Sequence, residues 1–557
     1  MSRGTNYWER VLRYQASRRR TLAMGAAAAG AAAISFACGS SSDSSSNDNG
    51  GSSDGQPKSG GTLSVPAIPF VAVLDPHQAS QPNVLAIWHN VSHKLVEVDE
   101  DLRITDEGAA QSWEQADDVT LIFKLHDGIT FQDVDPANGR AFTADDVVYS
   151  LERIKTPEAR FARRTQFEQI ERIEAVDDKT VRLTLKEPYA PILMYLGSMY
   201  NMLVCPEAVE KYGSLERPES NVGIGPFILK EYNKESHATL VKNPNYWREG
   251  LPYLDGIEIT VFADAAPRHA ALRAGQLHFS TEEIRYVQDV LRGNPNLTQT
   301  ETYLGGLMYE FGMNQKTFEP FADLRVRKAI HLVIDRDEMV AAKWGARENG
   351  LLAAPVPPPL QPYGLTEEEL YEIPGYRKPK DEDIAEAKKL MEAAGYPDGF
   401  KVEAKTADQY LPDIEPLIPV LREHLKIDID LNVLEWGAFK QAEATGETLA
   451  FGTGYLVEPE PDATLRLLHH SAGSRNYVGF ADPEADRMIE AQAREYDEEA
   501  RAQLTKEAAR YLIDQVAHAW HGGAVTNYRV IQPNVHGVVT PTANFYDRQD
   551  YTRVWIG

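Results

Sequence analysis

Hydrophobic positions fall along this chain in three regimes. From residue 22 to residue 37, sixteen positions pass without a charge. From 39 to 61 there is no aliphatic or aromatic residue. From Thr62 onward, apolar residues recur with the short periods of ordinary strands and helices. TLSVPAIP (62–69) reads as an opening strand. LIFKLHDGITF (121–131) alternates on both sides of a His-Asp-Gly turn and predicts a hairpin. IERIEAVDDKTVRLTLKEP predicts a second hairpin turning at Asp177-Asp178. Thr143-Ala144-Asp145-Asp146 is a near capping box, and Val147, Leu151 and Ile154 line one face of the helix it opens. Ile384, Ala387, Met391 and Ala394 do the same over 383–394, where Gly395 suits a left-handed cap. The stretch 480–512 reads as largely helical. Strands and helices interleaved with hairpins predict α/β plus α+β domains, without an internal repeat.

The charge-free stretch is too short to span a bilayer, which takes about 20 apolar residues. Arg10, Arg13, Arg18, Arg19 and Arg20 precede it, so residues 1–37 read as an export signal. Ser17-Arg18-Arg19-Arg20-Thr21-Leu22 is similar to the twin-arginine export motif at the serine, the arginine pair and the leucine. It departs at the usual Phe, and Ala23 replaces the usual Lys, so Sec export stays open. Ser35-Phe36-Ala37-Cys38 resembles a bacterial lipobox, with Ser35 where leucine is usual. That resemblance implies that Cys38 becomes the first mature residue and carries a diacylglycerol anchor. The Ser/Gly/Asn/Asp stretch 38–60 then serves as a flexible tether, having no apolar surface to bury. The alternative is a soluble secreted protein cut at an A-x-A-like site.

The remaining body of about 500 residues exceeds a single core, since domains usually hold 50–250 residues, and two or three domains are expected. The chain carries a net charge of −26. Six of its 57 basic and one of its 83 acidic residues precede Cys38, which leaves −31 from Cys38 onward. Such acidity argues against nucleic acid and favours solubility. Beyond Cys38 the remaining cysteine is Cys205, in NMLVCPEAVEKYG, where flanking Leu203 and Val204 predict a buried, inert thiol. There is no four-ligand Cys/His zinc pattern. G-x-S-x-G, H-E-x-x-H and P-loop motifs are absent as well.

Several motifs in fixed order then carry a resemblance. LDPHQAS (74–80) comes first. AAQSWEQADDVTLIFKLHDGITFQD and AFTADDVVYSLERI follow, separated by an insertion holding VDPAN. GIGPFILKEY, NPNYWREGLPYLDGI, ALRAGQL, FADLRVRKAIHLVIDRDEM, AKKLMEAAGYPDGF and PEPDATLRLLHHSAGSRNYVGFADPEADRMI complete the set. Together they resemble the family 5 extracellular solute-binding proteins, the oligopeptide-, dipeptide- and nickel-binding receptors of ABC importers. The resemblance implies an α/β, two-lobe periplasmic-binding-protein-like fold of the large type II form. Lobe I would span 61–310, with an extra subdomain at about 95–215, and lobe II 311–522, with 523–557 returning to lobe I. The crossings are expected near 307–314 and 520–528, both extended and glycine-containing, and able to absorb backbone rotation on closure.

Such a receptor captures a ligand between hinged lobes and hands it to a membrane permease. Peptide-binding members hold the ligand as an added strand, with a lobe II carboxylate on its α-ammonium. In Gly454-Tyr455-Leu456-Val457-Glu458-Pro459-Glu460-Pro461-Asp462, Glu458 is the nearest positional match for that carboxylate. Tyr455 stands where the family has Trp, the segment is one residue shorter, and Glu460 and Asp462 are alternatives. A solvated loop acid is the plain reading of Glu458. Trp436 and Phe439, after IDIDLNVLEW, match a position that lines the pocket, or else pack in the core. Asp75, His77 and Gln78 occupy the loop bordering the cleft. His469-His470 do not chelate a metal together, pointing about 100° apart on a helix, and read as a solvated helix end. The loop 133–139 does not complete a calcium loop. The expected protein is a monomeric, non-catalytic, cofactor-free importer receptor for short peptides, exported and held to the cell envelope through Cys38. A sugar, opine-like compound or nickel chelate is the alternative ligand, and a secreted hydrolase the remaining class.

Overall fold

Alternation along Thr180–Leu185 buries Val181, Leu183 and Leu185, and Ile170–Asp177, bulged after Ile170 so that Ile170 and Ile173 are both buried, pairs with it as an antiparallel hairpin. With Ala110–Asp117 and Thr120–Leu125 they form a four-stranded antiparallel sheet. The first predicted hairpin is therefore re-paired. Thr120–Leu125 turns back on the strand before it, through residues 117–120, and not on residues 129–131. The reason lies in Gly128, whose φ of +75° sends the chain away so that Ile129 and Phe131 enter the core. The helix predicted after Thr143 runs over Ala144–Lys155, and the Thr143 amide donates to the Asp146 carboxylate at 2.9 Å. Asp381–Ala393 is helical, and Gly395 follows at φ +89°. The stretch 480–512 holds two helices, Pro483–Arg494 and Glu498–Asp514.

This computed structural model describes residues 56–557 except 68–72, 79–83, 100–101, 158–160, 162, 292–293, 295, 304–306, 359, 457–458, 524–525 and 540–549. The expected export signal, Cys38, most of the expected tether and Glu458 lie outside the described residues. A second four-stranded sheet joins Thr62–Ala67 in parallel to Gly256–Val261, followed by His237–Lys242 and Phe227–Asn233. A three-stranded sheet places Thr526–Ile531 between Phe279–Glu283 and Thr298–Tyr303. A mixed five-stranded sheet orders Asp428–Leu434, Lys401–Ala407, Ala450–Leu456, Leu307–Met313 and Ala519–Gly522. The chain thus leaves the three-stranded sheet after Tyr303 to enter the five-stranded one at Leu307. It comes back between Gly522 and Thr526.

Each face of the five-stranded sheet is covered. Phe311, Met313, Ala404, Ala450 and Ala519 pack beneath the helices Leu324–Val333, Asp381–Ala393 and Leu417–Leu425. Glu310, Thr453 and Trp520, paired across three neighbouring strands, share the other face. GIGP also acquires a reason: the Gly225 amide donates to Val91 O at 2.8 Å, and Gly223 and Gly225 lie flat against the Val91–Ser92 backbone. Cys205 is fully buried, and burial pushes its thiol up to about 12, so it is inert as expected. No helix among the described residues is long and apolar enough to cross a membrane.

Candidate functional site

The strand Ala450–Leu456 ends where the chain crosses between sheets. Its register pairs Gly454 with Tyr309, Tyr455 with Met308 and Leu456 with Leu307. Gly522, on the return strand, also pairs with Tyr309. On its other edge the strand is laddered to Lys401–Ala407 at Ala450 and Phe451, and Thr406 Oγ1 donates to Gly452 O at 2.9 Å. Past Phe451, among the described residues, its main chain pairs with a strand on one side alone, and this end carries Tyr455 and leads to Glu458.

An aromatic group backs that end. The Tyr410 hydroxyl donates to Gly454 O at 3.2 Å, and its ring lies 6.3 Å from Tyr309, 5.9 Å from Trp436 and 6.3 Å from Phe439. Gly454 must be small, because a Cβ there would stand 3.0 Å from the Tyr410 ring. Trp436 and Phe439 sit at i and i+3 on the helix Trp436–Thr445, with Lys440 at i+4. Phe439 is fully buried, so it packs in the core, whereas Trp436 is half-buried and keeps an open face. The Lys440 ammonium lies 4.9 Å from the Trp436 ring, 2.6 Å from Glu443 and 3.2 Å from Thr453 Oγ1. Burial lowers the Lys440 pKa and raises that of Glu443. Tyr309, Tyr410 and Lys440 were missed from the sequence. Only Lys440 left a signal there, its spacing from Trp436 and Phe439.

The other named candidates are spent inside the protein. Asp75 is fully buried and ion-paired with Arg153. His77 Nε2 meets Met202 O at 2.8 Å, and its Nδ1 meets the Arg153 guanidinium at 2.6 Å. The geometry calls for a neutral imidazole that donates to the carbonyl and accepts from Arg153. Gln78, half-buried, reaches the Asp75 carboxylate at 3.3 Å. Glu460 is buried against Arg501. Asp462 is fully buried and accepts from Tyr189, Tyr195, Arg466 and Gln492. In this conformation neither carboxylate faces an open space. His469 corrects the solvated-end expectation. It is fully buried, 4.6 Å from the His518 ring, because the segment Leu465–His469 widens into a π-helical turn that drives it inward. No group of three or more His, Cys, Asp or Glu able to hold a metal occurs among the described residues.

His77 also sets an acid limit. Burial, reinforced by Arg153, lowers its pKa to about 4. Between pH 6.5 and 4 the unfolded chain takes a proton on this ring and the folded chain does not, so stability falls as pH drops. The full loss is about 3 kcal/mol, and His521, held at about 3 by burial, adds with the same sign. Urea midpoints at pH 7 and pH 5 measure it, and His77→Gln is expected to flatten the slope. An equal slope in that variant refutes the assignment.

A model of the bacterial extracellular solute-binding proteins, family 5 Middle, matches residues 106–476. This chain belongs to that family. Family 5 proteins are the substrate-binding components of ABC transporters, found outside the cytoplasmic membrane or in the periplasm, and they act as receptors. The glutathione-binding protein GsiB of Salmonella typhi is 27% identical over 448 residues, covering 78% of this chain and 83% of its own. GsiB of Escherichia coli K12 is 30% identical over 329 residues, 59% of this chain and 60% of its own. The Helicobacter pylori protein DppA, in complex with the peptide STSA, superposes with a TM-score of 0.74 at 23% identity, covering 90% of this chain and 98% of its own. AgaA from A. tumefaciens R10, in complex with agropinic acid, gives 0.75 at 23% identity over 89% and 99%. This family 5 chain shares their two-lobe α/β architecture.

Proposed function

We propose that this family 5 protein is the capture receptor of a short-peptide importer, tethered to the membrane through Cys38. Its lobes are 61–310, with a subdomain at about 95–215, rejoined by 523–557, and 311–522. The observation that carries the peptide reading is the strand end from Thr453 to Leu456, whose main chain, among the described residues, pairs with a neighbouring strand on one side only at the crossing between sheets. An extended ligand can lie along such an edge and take main-chain hydrogen bonds without its side chains being read. In this reading Trp436 and Tyr455 are contacts of the ligand, and Glu458 pairs with its ammonium. The similar proteins are named for glutathione or hold the peptide STSA or agropinic acid, so a polar non-peptide ligand is the second reading. That reading is favoured by Tyr455 and Glu458 standing where peptide binders carry Trp and Asp.

The deciding experiment is native, then denaturing, mass spectrometry of the protein purified without refolding. A ladder of masses that fragments into amino acids supports the peptide receptor, and one discrete non-peptide mass overturns it. Glu458→Gln is expected to weaken a cationic ligand about 10- to 100-fold, the value of a hydrogen bond to a charged group. An unchanged Kd by calorimetry removes Glu458 from the site. Cys38→Ser is expected to move the protein from the membrane fraction to the medium or to stop its processing. Unaltered fractionation argues against the lipid.

A further inference from the structure

Asp462 is the best-satisfied buried carboxylate in the second lobe, and two of its four partners belong to the first. Oδ2 accepts from the Tyr189 hydroxyl at 2.9 Å, the Tyr195 hydroxyl at 3.0 Å and Arg466 Nε at 3.1 Å. Oδ1 accepts from Gln492 Nε2 at 2.7 Å. Tyr189 and Tyr195 follow the four-stranded antiparallel sheet, ahead of the first crossing, whereas Asp462, Arg466 and Gln492 lie between the two crossings. More main chain and side chain joins at the same place. The Tyr189 amide donates to the Tyr496 hydroxyl at 2.9 Å, and that hydroxyl donates to Asp118 O at 2.7 Å. The Ala190 amide donates to Ala493 O at 2.8 Å, and Glu187 pairs with Arg494 at the rim.

The segment that carries Asp462 also reaches the crossing strands. It continues into the π-helical turn Leu465–His469, whose Leu468 O lies 3.1 Å from His518 Nε2. His518 Nδ1 holds the Glu310 carboxylate. Glu310 is on the outgoing strand and His518 immediately precedes the return strand, Ala519–Gly522. A continuous path of hydrogen bonds and one short turn therefore runs from the tyrosines of one lobe to both strands about which the lobes must rotate.

We propose that Asp462, gripped by Tyr189 and Tyr195, is a closure latch, a positioning residue that sets how much of the protein stands closed and couples that state to the crossing strands. This rests on the two-lobe receptor reading given above. Opening withdraws two hydroxyl donors from a carboxylate that keeps Arg466 and Gln492, so the latch is releasable and not a permanent clasp. Its strength enters ligand affinity directly, because apparent affinity scales with the fraction of protein in the binding-competent state.

The test uses full-length protein in a Cys38→Ser background, with Val176→Cys and Val433→Cys as dye sites on exposed positions of opposite lobes. Single-molecule energy transfer then reads the interlobe distance without added ligand. Tyr189→Phe with Tyr195→Phe is expected to shift the closed-to-open ratio about 10- to 100-fold toward open. Asp462→Asn, nearly isosteric, is expected to shift it the same way and guards against misfolding of the double variant. Two distances whose ratio ignores these substitutions overturn the latch and leave the hinged receptor intact. One invariant distance in wild type and variants overturns both.

Discussion

Arg501→Met is expected to lower the stability of the protein by about 3–5 kcal/mol. Arg501 is fully buried, with its guanidinium on the Glu460 carboxylate, on Gln492 O at 3.2 Å and 5.2 Å from the Tyr363 ring. Methionine fills much of the volume but leaves Glu460, only 3% exposed, as a buried charge without a counter-ion. Burial already raises the Glu460 pKa, and without Arg501 it rises further. The penalty is therefore expected to shrink as pH falls and the carboxyl accepts a proton. Urea unfolding followed by fluorescence measures the loss. Arg501→Met with Glu460→Gln is expected to recover most of it, since removing both charges costs less than removing one. A double variant as unstable as the single one points to lost packing as the cause.

The second large effect belongs to GIGP. A Cβ on Gly225 would stand 2.5 Å from Val91 C and 2.7 Å from both Asn90 O and Ser92 N. All three are main-chain atoms, so no side chain can swing away. Gly225→Ala is expected at or beyond the upper end of the roughly 1–3 kcal/mol range for overpacking, read as a lowered thermal midpoint. Gly128→Ala is the control. At φ +75° it is strained, but nothing lies within 4 Å of the added methyl, so only the conformational cost of about 1–2 kcal/mol applies. Equal losses at the two sites contradict the steric account.

Much of this molecule was legible before any coordinates. The second hairpin turned one residue later than its polar pair suggests, at Asp178-Lys179 with Asp177 paired to Thr180, because period-two burial on Thr180–Leu185 and the pairing of Ile173 with Leu183 fix the register. The helices after Thr143 and ending at Gly395 followed from local capping chemistry. The partner of Thr120–Leu125 did not, because two neighbouring segments both offered alternating patterns, and the choice was made by where Gly128 sent Phe131. Among candidate site residues, Trp436 and Phe439 read alike in the sequence, as pocket lining or core, and only the packing separated the half-buried Trp436 from the fully buried Phe439. Asp75, His77 and Asp462 could not be told from ligand contacts, since a carboxylate reads the same in sequence whether it meets a ligand or a buried arginine.

The sequence by itself determined most of the element types, the composition of the first 61 residues, the acidic charge and the ordered motifs that place the chain in its family. Each depends on residues close together in the chain or on their order. Only the tertiary structure decided that Asp462 joins Tyr189 and Tyr195, that Glu310 meets His518 and that Ala450–Leu456 is left paired on one side at the crossing. Those facts join residues up to 273 positions apart, and such contacts are fixed by how sheets and helices pack, which no local pattern encodes.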